Sequence, residues 1–266
     1  MDLGIKGRKA IVCASSKGLG KACAMSLARA GCEVVINGRD AKMLEATAAE
    51  IRAATGATVI AVAGDVGQDG ARKALLEACS APDILINNNG GPPPKPFKTI
   101  QREDILAGIE ANMITPITLI QAVVDGMVER GFGRIVNITS SSVRAPIPGL
   151  DVSSGARAGL TAFLAALARQ VARANVTINS IQPGAFDTDR LRGGMMKQAE
   201  MRGVTGEQAR AEREAAIPAR RFGQPQEFGE LCAYLASAQA GALQNGSQDH
   251  LAPGALGLRI AAQRLG

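Results

Sequence analysis

Short apolar runs alternate with longer amphipathic stretches along the chain. Six of these runs are rich in β-branched residues and are bounded by polar or glycine-containing segments, which predicts strands. The predicted strands cover residues 9–14, 33–37, 58–63, 83–87, 134–139 and 176–181. Between them, apolar residues recur at helical spacing or alanine predominates. These stretches predict helices at residues 19–30, 41–55, 68–80, 102–129 and 151–175.

The alternation of strands and helices predicts the fold class. A strand, a helix and a second strand form a right-handed crossover, and successive crossovers build a parallel sheet with helices on both faces. We therefore expect an α/β fold with a single Rossmann-type domain, a doubly wound parallel sheet, over residues 1–266. No linker, repeat or low-complexity tract divides the sequence.

One segment departs from the alternation. Residues 185–223 are polar and rich in arginine, contain several glycines, and follow the last predicted strand. This composition is compatible with a helical lid or flap over a substrate site. It is equally compatible with a solvated surface insertion.

Composition narrows the class of protein. Hydrophobic residues make up 46% of the chain and charged residues 20%, which supports a sizeable core and argues against disorder. No window approaches 18 uninterrupted apolar residues, and the first nine residues lack the apolar core of a signal peptide. The five cysteines include no C-x-x-C pair and lie in apolar surroundings, which favours reduced, buried thiols. These features predict a cytoplasmic protein without a membrane span.

The scarcity of aromatic and imidazole side chains excludes several chemistries. The chain has no Trp, one Tyr (Tyr234) and one His (His250). A His–Ser triad, a histidine-based metal site and base stacking on nucleic acid are therefore disfavoured. The net charge of +6 is better explained by a phosphate-bearing cofactor or substrate than by nucleic acid.

A glycine-containing turn joins the first predicted strand to the first predicted helix. Glycines at such a turn let the backbone approach a pyrophosphate, which the helix N-terminus attracts. The alternative is a plain tight turn. The candidate cofactor-binding residues here are Ala14, Ser15, Ser16, Lys17, Gly18, Leu19 and Gly20.

The end of the second strand bears on the choice of cofactor. An acidic residue there would hold the ribose 2′-hydroxyl of NAD, but Gly38 and Arg39 occupy these positions. Arg39 suits a 2′-phosphate, and Lys17 would add a second positive charge. Asp40 is expected to cap the following helix. We therefore expect NADP(H); the alternative for Arg39 is an ordinary surface charge.

With these residues placed, the chain resembles the short-chain dehydrogenase/reductase family over residues 5–240, and within it the 3-oxoacyl-carrier-protein reductase-like members. Gly18 and Gly20 match the family's T-G-x-x-x-G-x-G loop, although Cys13 and Ala14 replace its Thr-Gly. The resemblance implies further cofactor-binding residues after the third, fourth and sixth strands. These are Asp65, Val66, Asn88, Asn89, Gly90, Pro183, Gly184 and Thr188.

The resemblance also identifies a catalytic tetrad, of which two members are replaced. Asn112 and Ser140 match its Asn and Ser. The family's Tyr, 13 residues after this Ser, is Ser153 here, and its Lys, four residues further on, is Arg157. Positions 153 and 157 share one face of a helix, so the placement survives. The chemistry changes, because a Ser hydroxyl is a far weaker acid than a Tyr phenol and Arg stays protonated.

Two function classes follow from this combination. The first is an NADP(H)-dependent oxidoreductase that reduces a carbonyl or oxidises an alcohol with a non-standard relay. In it Ser140 orients the substrate oxygen, Asn112 holds a water or helix backbone, Ser153 is a weak donor or water anchor, and Arg157 binds ribose or an oxyanion. The second is a non-catalytic NADP(H)-binding sensor or a silent subunit of a hetero-oligomer.

Other side chains near the site carry smaller expectations. Asp151 would donate a proton if its pKa were raised, but an N-cap of the helix is favoured. Tyr234 lies in an apolar helix, where core packing is favoured over catalysis. The segment 241–266 lacks the family's final D-G-G and is atypical. By resemblance, a homodimer or homotetramer through helices 102–129 and 151–175 and a small carbonyl or alcohol substrate are expected, with no metal.

Overall fold

A parallel sheet forms the centre of the molecule. The computed structural model describes residues 1–242 and 248–251. Within them the strands are β1 Lys9–Val12, β2 Glu33–Gly38, β3 Val59–Ala63, β4 Ile84–Asn87, β5 Gly133–Ile138, β6 Val176–Pro183 and β7 Gln248–Leu251. All neighbouring strands run parallel, in the order β3-β2-β1-β4-β5-β6-β7. The six predicted strands are confirmed to within two residues at each end, and β7 is an addition to them.

Helices connect the strands and cover the sheet. In the described part of the chain they are α1 Gly18–Arg29, α2 Ala41–Thr55, α3 Asp69–Ala78, α4 Arg102–Ile109, α5 Thr115–Glu129, α6 Asp151–Val171, α7 Asp189–Arg202, α8 Gly206–Ala215 and α9 Pro225–Leu235. Apolar clusters lie on both faces of the sheet. Ile11 and Val12, adjacent in β1, belong to different clusters because successive strand side chains point to opposite faces. The doubly wound α/β fold is thereby confirmed.

The predicted helix 102–129 is interrupted. Five residues between α4 and α5, Glu110–Ile114, form a π-helical turn that carries the buried Asn112. Taken as one unit, Arg102–Glu129 is long and apolar enough to cross a membrane, and 44% of its most apolar window is buried in the fold. Core helices pass the same test of length and composition.

The order of the strands creates a crevice at the carboxyl ends of β1 and β4, in the middle of the sheet. β1 pairs with β2 on one side and β4 on the other, so the winding direction reverses between β1 and β4. Ligands of open α/β sheets bind at the carboxyl ends of the strands at such a switch point. The Asn88 amide Nδ2 donates across it to the Ala14 carbonyl oxygen at 3.0 Å.

The segment 185–223 is helical. α7 and α8 pack on a small apolar cluster of Met195, Ala199, Ala209 and Phe222. The Asp187 carboxylate ties the two helices together through Arg192 at 2.6 Å and Arg210 at 3.1 Å. The helical part of the prediction is met, and the role as a lid stays a prediction.

Two of the smaller expectations are wrong. The residue at the N-cap of α6 is Leu150, and Asp151 lies in the first turn and is exposed. Tyr234 is 37% exposed. The face of α9 that packs against the core carries Phe228, Cys232 and Leu235, and position 234 lies outside this face. The atypical segment 241–266 lies mostly outside the described residues.

Candidate active site

The turn after β1 brings backbone atoms unusually close together. Gly18 has φ +59° and Ala14 has φ +43°. A Cβ at Gly20 would collide with the Ala14 carbonyl oxygen, so this position has no room for a side chain. α1 begins after Lys17 without a side-chain cap and has no acidic residue in its first turn. Its first N–H groups therefore suit the pyrophosphate of a dinucleotide.

Asn37, near the end of β2, organises this turn. Its Oδ1 accepts from the Ala14 N–H at 3.3 Å, and its Nδ2 donates to the carbonyls of Val62 and Gly64, each at 3.0 Å. The buried Ser15 hydroxyl accepts from the Asn37 N–H at 3.0 Å and donates to the Val12 carbonyl at 2.7 Å. Sequence reasoning missed Asn37. Its only signal is a polar residue near the end of an otherwise apolar strand.

The end of β2 presents positive charge where a 2′-phosphate is expected. Arg39 and Lys17 are both exposed, and within the described residues neither has a carboxylate within 4 Å. The Asp40 carboxylate does not pair with Arg39 or Lys17. It accepts from the Met43 N–H at 3.0 Å, which confirms its predicted role as the N-cap of α2. A Cβ at Gly38 would lie 2.9 Å from that of Ser16, so the strand end and the turn are in close contact.

The residues predicted for the adenine side lie after β3. Asp65 is exposed, and its Oδ1 accepts from the Gly67 N–H at 2.9 Å, which shapes the loop. Val66 is buried, and it lines a cleft together with Asn88, Asn112 and Arg157. The structure thus joins this loop to the predicted catalytic region.

Asparagine side chains hold the loop after β4 against the π-helical turn. Asn89 Nδ2 donates to the Ala111 carbonyl at 3.1 Å, and Asn112 Nδ2 donates to the Gly90 carbonyl at 3.2 Å. Asn112 Oδ1 is buried without a hydrogen-bond partner among the described residues, as are Asn87 Oδ1 and Thr115 Oγ1. All three side chains line the same cleft. Buried oxygens of this kind are satisfied by water or a ligand.

Ser140 belongs to a chain of hydroxyl groups. Its Oγ lies 2.8 Å from Ser142 Oγ, and the Ser154 hydroxyl donates to Ser142 Oγ at 2.8 Å. No hydrogen bond in the described residues joins Ser140 to Ser153 or Arg157. Sequence reasoning missed Ser142 and Ser154. The serine run 140–142 and the pair at 153–154 were the available signal.

Ser153 and Arg157 meet on α6 as their spacing predicted. Arg157 Nε donates to Ser153 Oγ at 3.2 Å. Its Nη1 donates to the Ile138 carbonyl at 2.6 Å and its Nη2 to the Asn89 carbonyl at 3.4 Å. Three of the five guanidinium N–H groups are thereby used, and two remain for a ligand. Burial, together with the nearby charge of Arg190, lowers the Arg157 pKa to about 10, so the side chain stays charged at neutral pH.

The segment after β6 folds toward the phosphate turn. Pro183 ends β6 and Gly184 follows it. Thr188 caps α7, its hydroxyl accepting from the Leu191 N–H at 3.3 Å. A Cβ at Gly18 would lie 3.7 Å from the Thr188 methyl group, so two motifs far apart in sequence share one site.

A groove opens beside Ser153. It is lined by the proline-rich loop after β4 and by the start of α6, with Pro92, Pro93, Lys95, Leu150 and Val152 among its residues. Lys95 holds the loop in place: its Nζ lies 2.5 Å from Asp104, and its N–H donates to the Gly149 carbonyl at 3.0 Å. Ser153, although buried, is one of the residues that line this groove.

The cysteine thiols lie buried in the described part of the chain. All five cysteines are free and buried, as predicted. Burial raises the pKa of the Cys13 thiol to about 12, so this thiol stays protonated. Among residues 1–242 and 248–251, no three His, Cys, Asp or Glu side chains are grouped to hold a metal ion.

Comparisons with known proteins show which sequences this chain resembles. The family model for short chain dehydrogenases matches residues 8–198. The NADPH-dependent reductase BacG of Bacillus subtilis (strain 168) is 30% identical over 238 residues, which cover 88% of this chain and 92% of the relative. An acetoacetyl-CoA reductase of Allochromatium vinosum is 34% identical over 242 residues, 88% of this chain and 93% of the relative.

Solved structures extend the likeness to the whole fold. L-sorbose reductase from Gluconobacter frateurii, in complex with NADPH and L-sorbose, superposes with a TM-score of 0.90 at 26% identity. The match covers 96% of this chain and 98% of that one. A variant of actinorhodin polyketide ketoreductase, solved with NADPH, gives a TM-score of 0.86 at 27% identity, covering 93% of this chain and 97% of that one.

Proposed function

Because the chain belongs to the short-chain dehydrogenase family, we propose that it is an NADP(H)-dependent oxidoreductase that reduces a carbonyl group or oxidises the matching alcohol. The observation that carries this proposal is the joint placement of the phosphate turn, the Asn89–Asn112 loop and the Ser153–Arg157 pair around one crevice. The similar reductases named above are NADPH-dependent or were solved with NADPH, which supports the same cofactor and reaction class here.

The chain's own residues fit the cofactor. The uncapped start of α1 receives the pyrophosphate, and Arg39 and Lys17 receive the 2′-phosphate. Thr188 approaches the same turn, and Pro183, Gly184 and Thr188 would cover the nicotinamide end, as the family resemblance implies. The cofactor, when bound, supplies or accepts the hydride. Arg157 lines the cleft, and its two remaining N–H groups would bind ribose hydroxyls.

The proton relay is the unusual part of the proposal. Ser140 orients the substrate oxygen, and its rotamer is held by its contact with the Ser142 hydroxyl, which in turn accepts from the Ser154 hydroxyl. Arg157 stabilises the developing alkoxide by its charge, and Asn112 holds water through its unpaired Oδ1. Ser153, hydrogen-bonded to Arg157, anchors a water or donates weakly. A slow enzyme that prefers activated carbonyls follows, because their alkoxides need less help from an acid.

The loss of the Tyr and the Lys favours a second candidate function. A protein that keeps the cofactor motifs beside Ser153 and Arg157 is also suited to bind NADP(H) without turnover, as a sensor or as a silent subunit. Three of the Arg157 donors are already bound to the chain's own atoms, which is consistent with a structural role.

NADPH oxidation distinguishes the two functions. The wild type and a Ser153→Tyr/Arg157→Lys double variant are assayed with quinones, diketones and acetoacetyl thioesters. Turnover by the wild type, with little gain in the double variant, supports the enzyme and its altered relay. Turnover by the double variant alone, with NADPH bound equally by both, supports the binding protein. If neither the wild type nor the double variant binds NADPH or turns over any substrate, both functions are contradicted.

The assembly and the compartment are part of the same proposal. Apolar side chains on α4 to α6 are exposed, which supports a homodimer or homotetramer through these helices. Five reduced cysteines support a cytoplasmic protein. We expect a small-molecule substrate and no binding of nucleic acid, for which salt-sensitive binding to DNA or RNA is the test.

A further inference from the structure

Two positively charged side chains lie near Ser153: Arg157 on α6 and Arg190 on α7. Arg190, on the first turn of α7, donates from Nη2 to the Gly91 carbonyl at 3.3 Å. A Cβ built on Gly91 would lie 3.1 Å from Arg190 Nη2 and 3.4 Å from Ser153 Oγ. Arg157 donates to this same Ser153 Oγ. Arg157 and Arg190 therefore both approach the region around Ser153, the first from α6 and the second from α7.

No carboxylate neutralises this pair within the described residues. Neither Arg157 nor Arg190 has an Asp or Glu oxygen within 4 Å. Their protein partners at hydrogen-bond distance are carbonyl oxygens and one hydroxyl, all uncharged. Two cations side by side repel each other, and they are stabilised when an anion lies between them.

The nearby carboxylates are occupied or point away. Asp187 and Asp189 both pair with Arg192, and Asp187 also pairs with Arg210. Asp104 pairs with Lys95. Asp151 is exposed, two residues before the buried Ser153, and residues two apart on a helix lie on different faces. The positive charge at Arg157 and Arg190 is therefore available to a ligand.

We propose that the substrate carries a carboxylate close to its carbonyl group, and that Arg190 binds this carboxylate beside Ser153 while the buried Arg157 adds its charge. This inference rests on the proposed function and deepens it, because it names the substrate class as an oxo acid. Arginine binds a planar carboxylate through two parallel N–H groups, which a point charge such as Lys cannot do.

Binding is measured separately from turnover. Protein loaded with NADP⁺ cannot reduce a ketone, so calorimetry reports affinity alone. The probes are acetoacetate, its uncharged methyl ester, and 2-oxopropylphosphonate, all at one ionic strength. The variants are Arg190→Met and Arg192→Met. Arg192 is two residues further along α7, and its loss removes the same charge while Asp187 keeps Arg210 as a partner.

We expect the wild type to bind acetoacetate at least tenfold more tightly than the methyl ester. Arg190→Met loses this preference, and Arg192→Met, with an unchanged melting temperature, retains it. Equal affinity for acid and ester overturns the proposal. An equal loss of this preference in both variants also overturns the proposal, because it would reflect the overall positive charge of the region and no specific contact with Arg190. Tighter binding of the phosphonate than of acetoacetate overturns the assignment to a carboxylate.

Activity assays then separate this inference from the proposed function. Turnover of neutral ketones without any preference for the acids keeps the oxidoreductase and removes the anion site. A charge preference in binding that depends on Arg190, without NADPH oxidation in any variant, keeps the anion site and removes the enzyme.

Discussion

Arg157 is a charged side chain in a buried position, where desolvation disfavours the charged form. Its guanidinium is surrounded by carbonyls and a hydroxyl and has a pKa of about 10, lowered from 12.5. A lowered pKa for a base means that the fold disfavours the charged form, so at neutral pH this residue costs stability. Such a cost is understandable at a site that serves a ligand. Arg134, the other arginine with this pKa, has a different role.

We predict that Arg134→Met changes stability more than NADPH affinity, and that Arg157→Met does the reverse. Arg134 is fully buried, donates to Ser237, Gly133 and Asn175, and stacks on Phe132 at 4.3 Å. Its loss leaves several carbonyls unpaired and should cost about 2–4 kcal/mol in the free energy of unfolding, with NADPH affinity unchanged. Arg157→Met should cost less than about 2 kcal/mol, because Arg157 makes three hydrogen bonds where Arg134 makes four and also stacks on Phe132.

The discriminating measurement is NADPH affinity, read from the fluorescence of the bound nicotinamide. Arg157→Met should weaken it about tenfold or more, since the ribose contacts are lost. Urea unfolding of both variants supplies the stability change. If Arg134→Met weakens NADPH binding as much as Arg157→Met does, the ligand role of Arg157 is wrong.

Ala14 is a second residue under local strain. Its φ of +43° lies in the left-handed region, where a Cβ crowds the following carbonyl. Ala14→Gly should raise the free energy of unfolding by about 0.5–1 kcal/mol, because relief of this strain exceeds the entropy that glycine adds to the unfolded chain. Urea unfolding of the cofactor-free protein measures the change. Ala30→Gly is the control: its φ is −77°, so the same substitution should be destabilising there.

At the scale of elements, the sequence predicted what local patterns decide. α2 runs over Ala41–Thr55 as expected, because Asp40 caps its start and Gly56, at φ +69°, ends it. The buried strands were found because β-branched runs leave little ambiguity. The π-helical turn at Glu110–Ile114 was missed. It depends on Asn112 reaching the Gly90 carbonyl, a contact between segments that no local pattern reports.

The start of α9 is an element whose stability should depend on pH. Glu227 accepts from the Gln224 N–H at 2.7 Å and pairs with both terminal nitrogens of Arg221, at 2.6 and 2.8 Å. These contacts lower the Glu227 pKa from 4.5 to about 2, the pair with Arg221 being the larger cause. A lowered carboxyl pKa gives stability that is present above 4.5 and is lost as the pH falls through about 2.

Glu227→Gln should therefore lower the free energy of unfolding at pH 7 by about 0.5–1 kcal/mol, a modest amount because both side chains are about half exposed. The difference from the wild type should shrink as the pH falls below about 4.5. Urea unfolding across this range checks both expectations. Glu77→Gln removes an exposed pair with Lys73 at 3.9 Å and should show neither effect. A gap that persists at low pH would assign the effect to side-chain shape.

For the whole molecule, the candidate site was predictable where it matches linear motifs and unpredictable where the fold assembles it. Ser153 and Arg157 could be placed because one helical turn separates them. Arg190 could not, because its position beside Ser153 depends on how α7 packs over the loop after β4. Tyr234 was wrongly assigned to the core because an apolar helix sequence does not reveal which face the sheet covers.

Exposed apolar side chains on α4, the π-helical turn and α6 bear on how the protein assembles. Phe163 on α6 is 58% exposed, and Leu106 on α4 and Ile114 in the π-helical turn are 50% and 43% exposed. A cluster of apolar side chains on neighbouring helices marks an interface, because leaving it in water is unfavourable. We expect the wild type to be a dimer or tetramer by light scattering coupled to gel filtration. Phe163→Asp should shift it to smaller species by placing a charge in the contact.

Met201→Asp is the matched control for this experiment. Met201 is 79% exposed near the end of α7, away from α4 to α6, so the same charge should leave the assembly unchanged. Circular dichroism confirms that both variants are folded. A monomeric wild type would contradict the assignment of this surface. If α6 forms the contact, Phe163→Asp should reduce the size of the assembly more than Met201→Asp does. An equal reduction in both variants would assign the effect to the added negative charge.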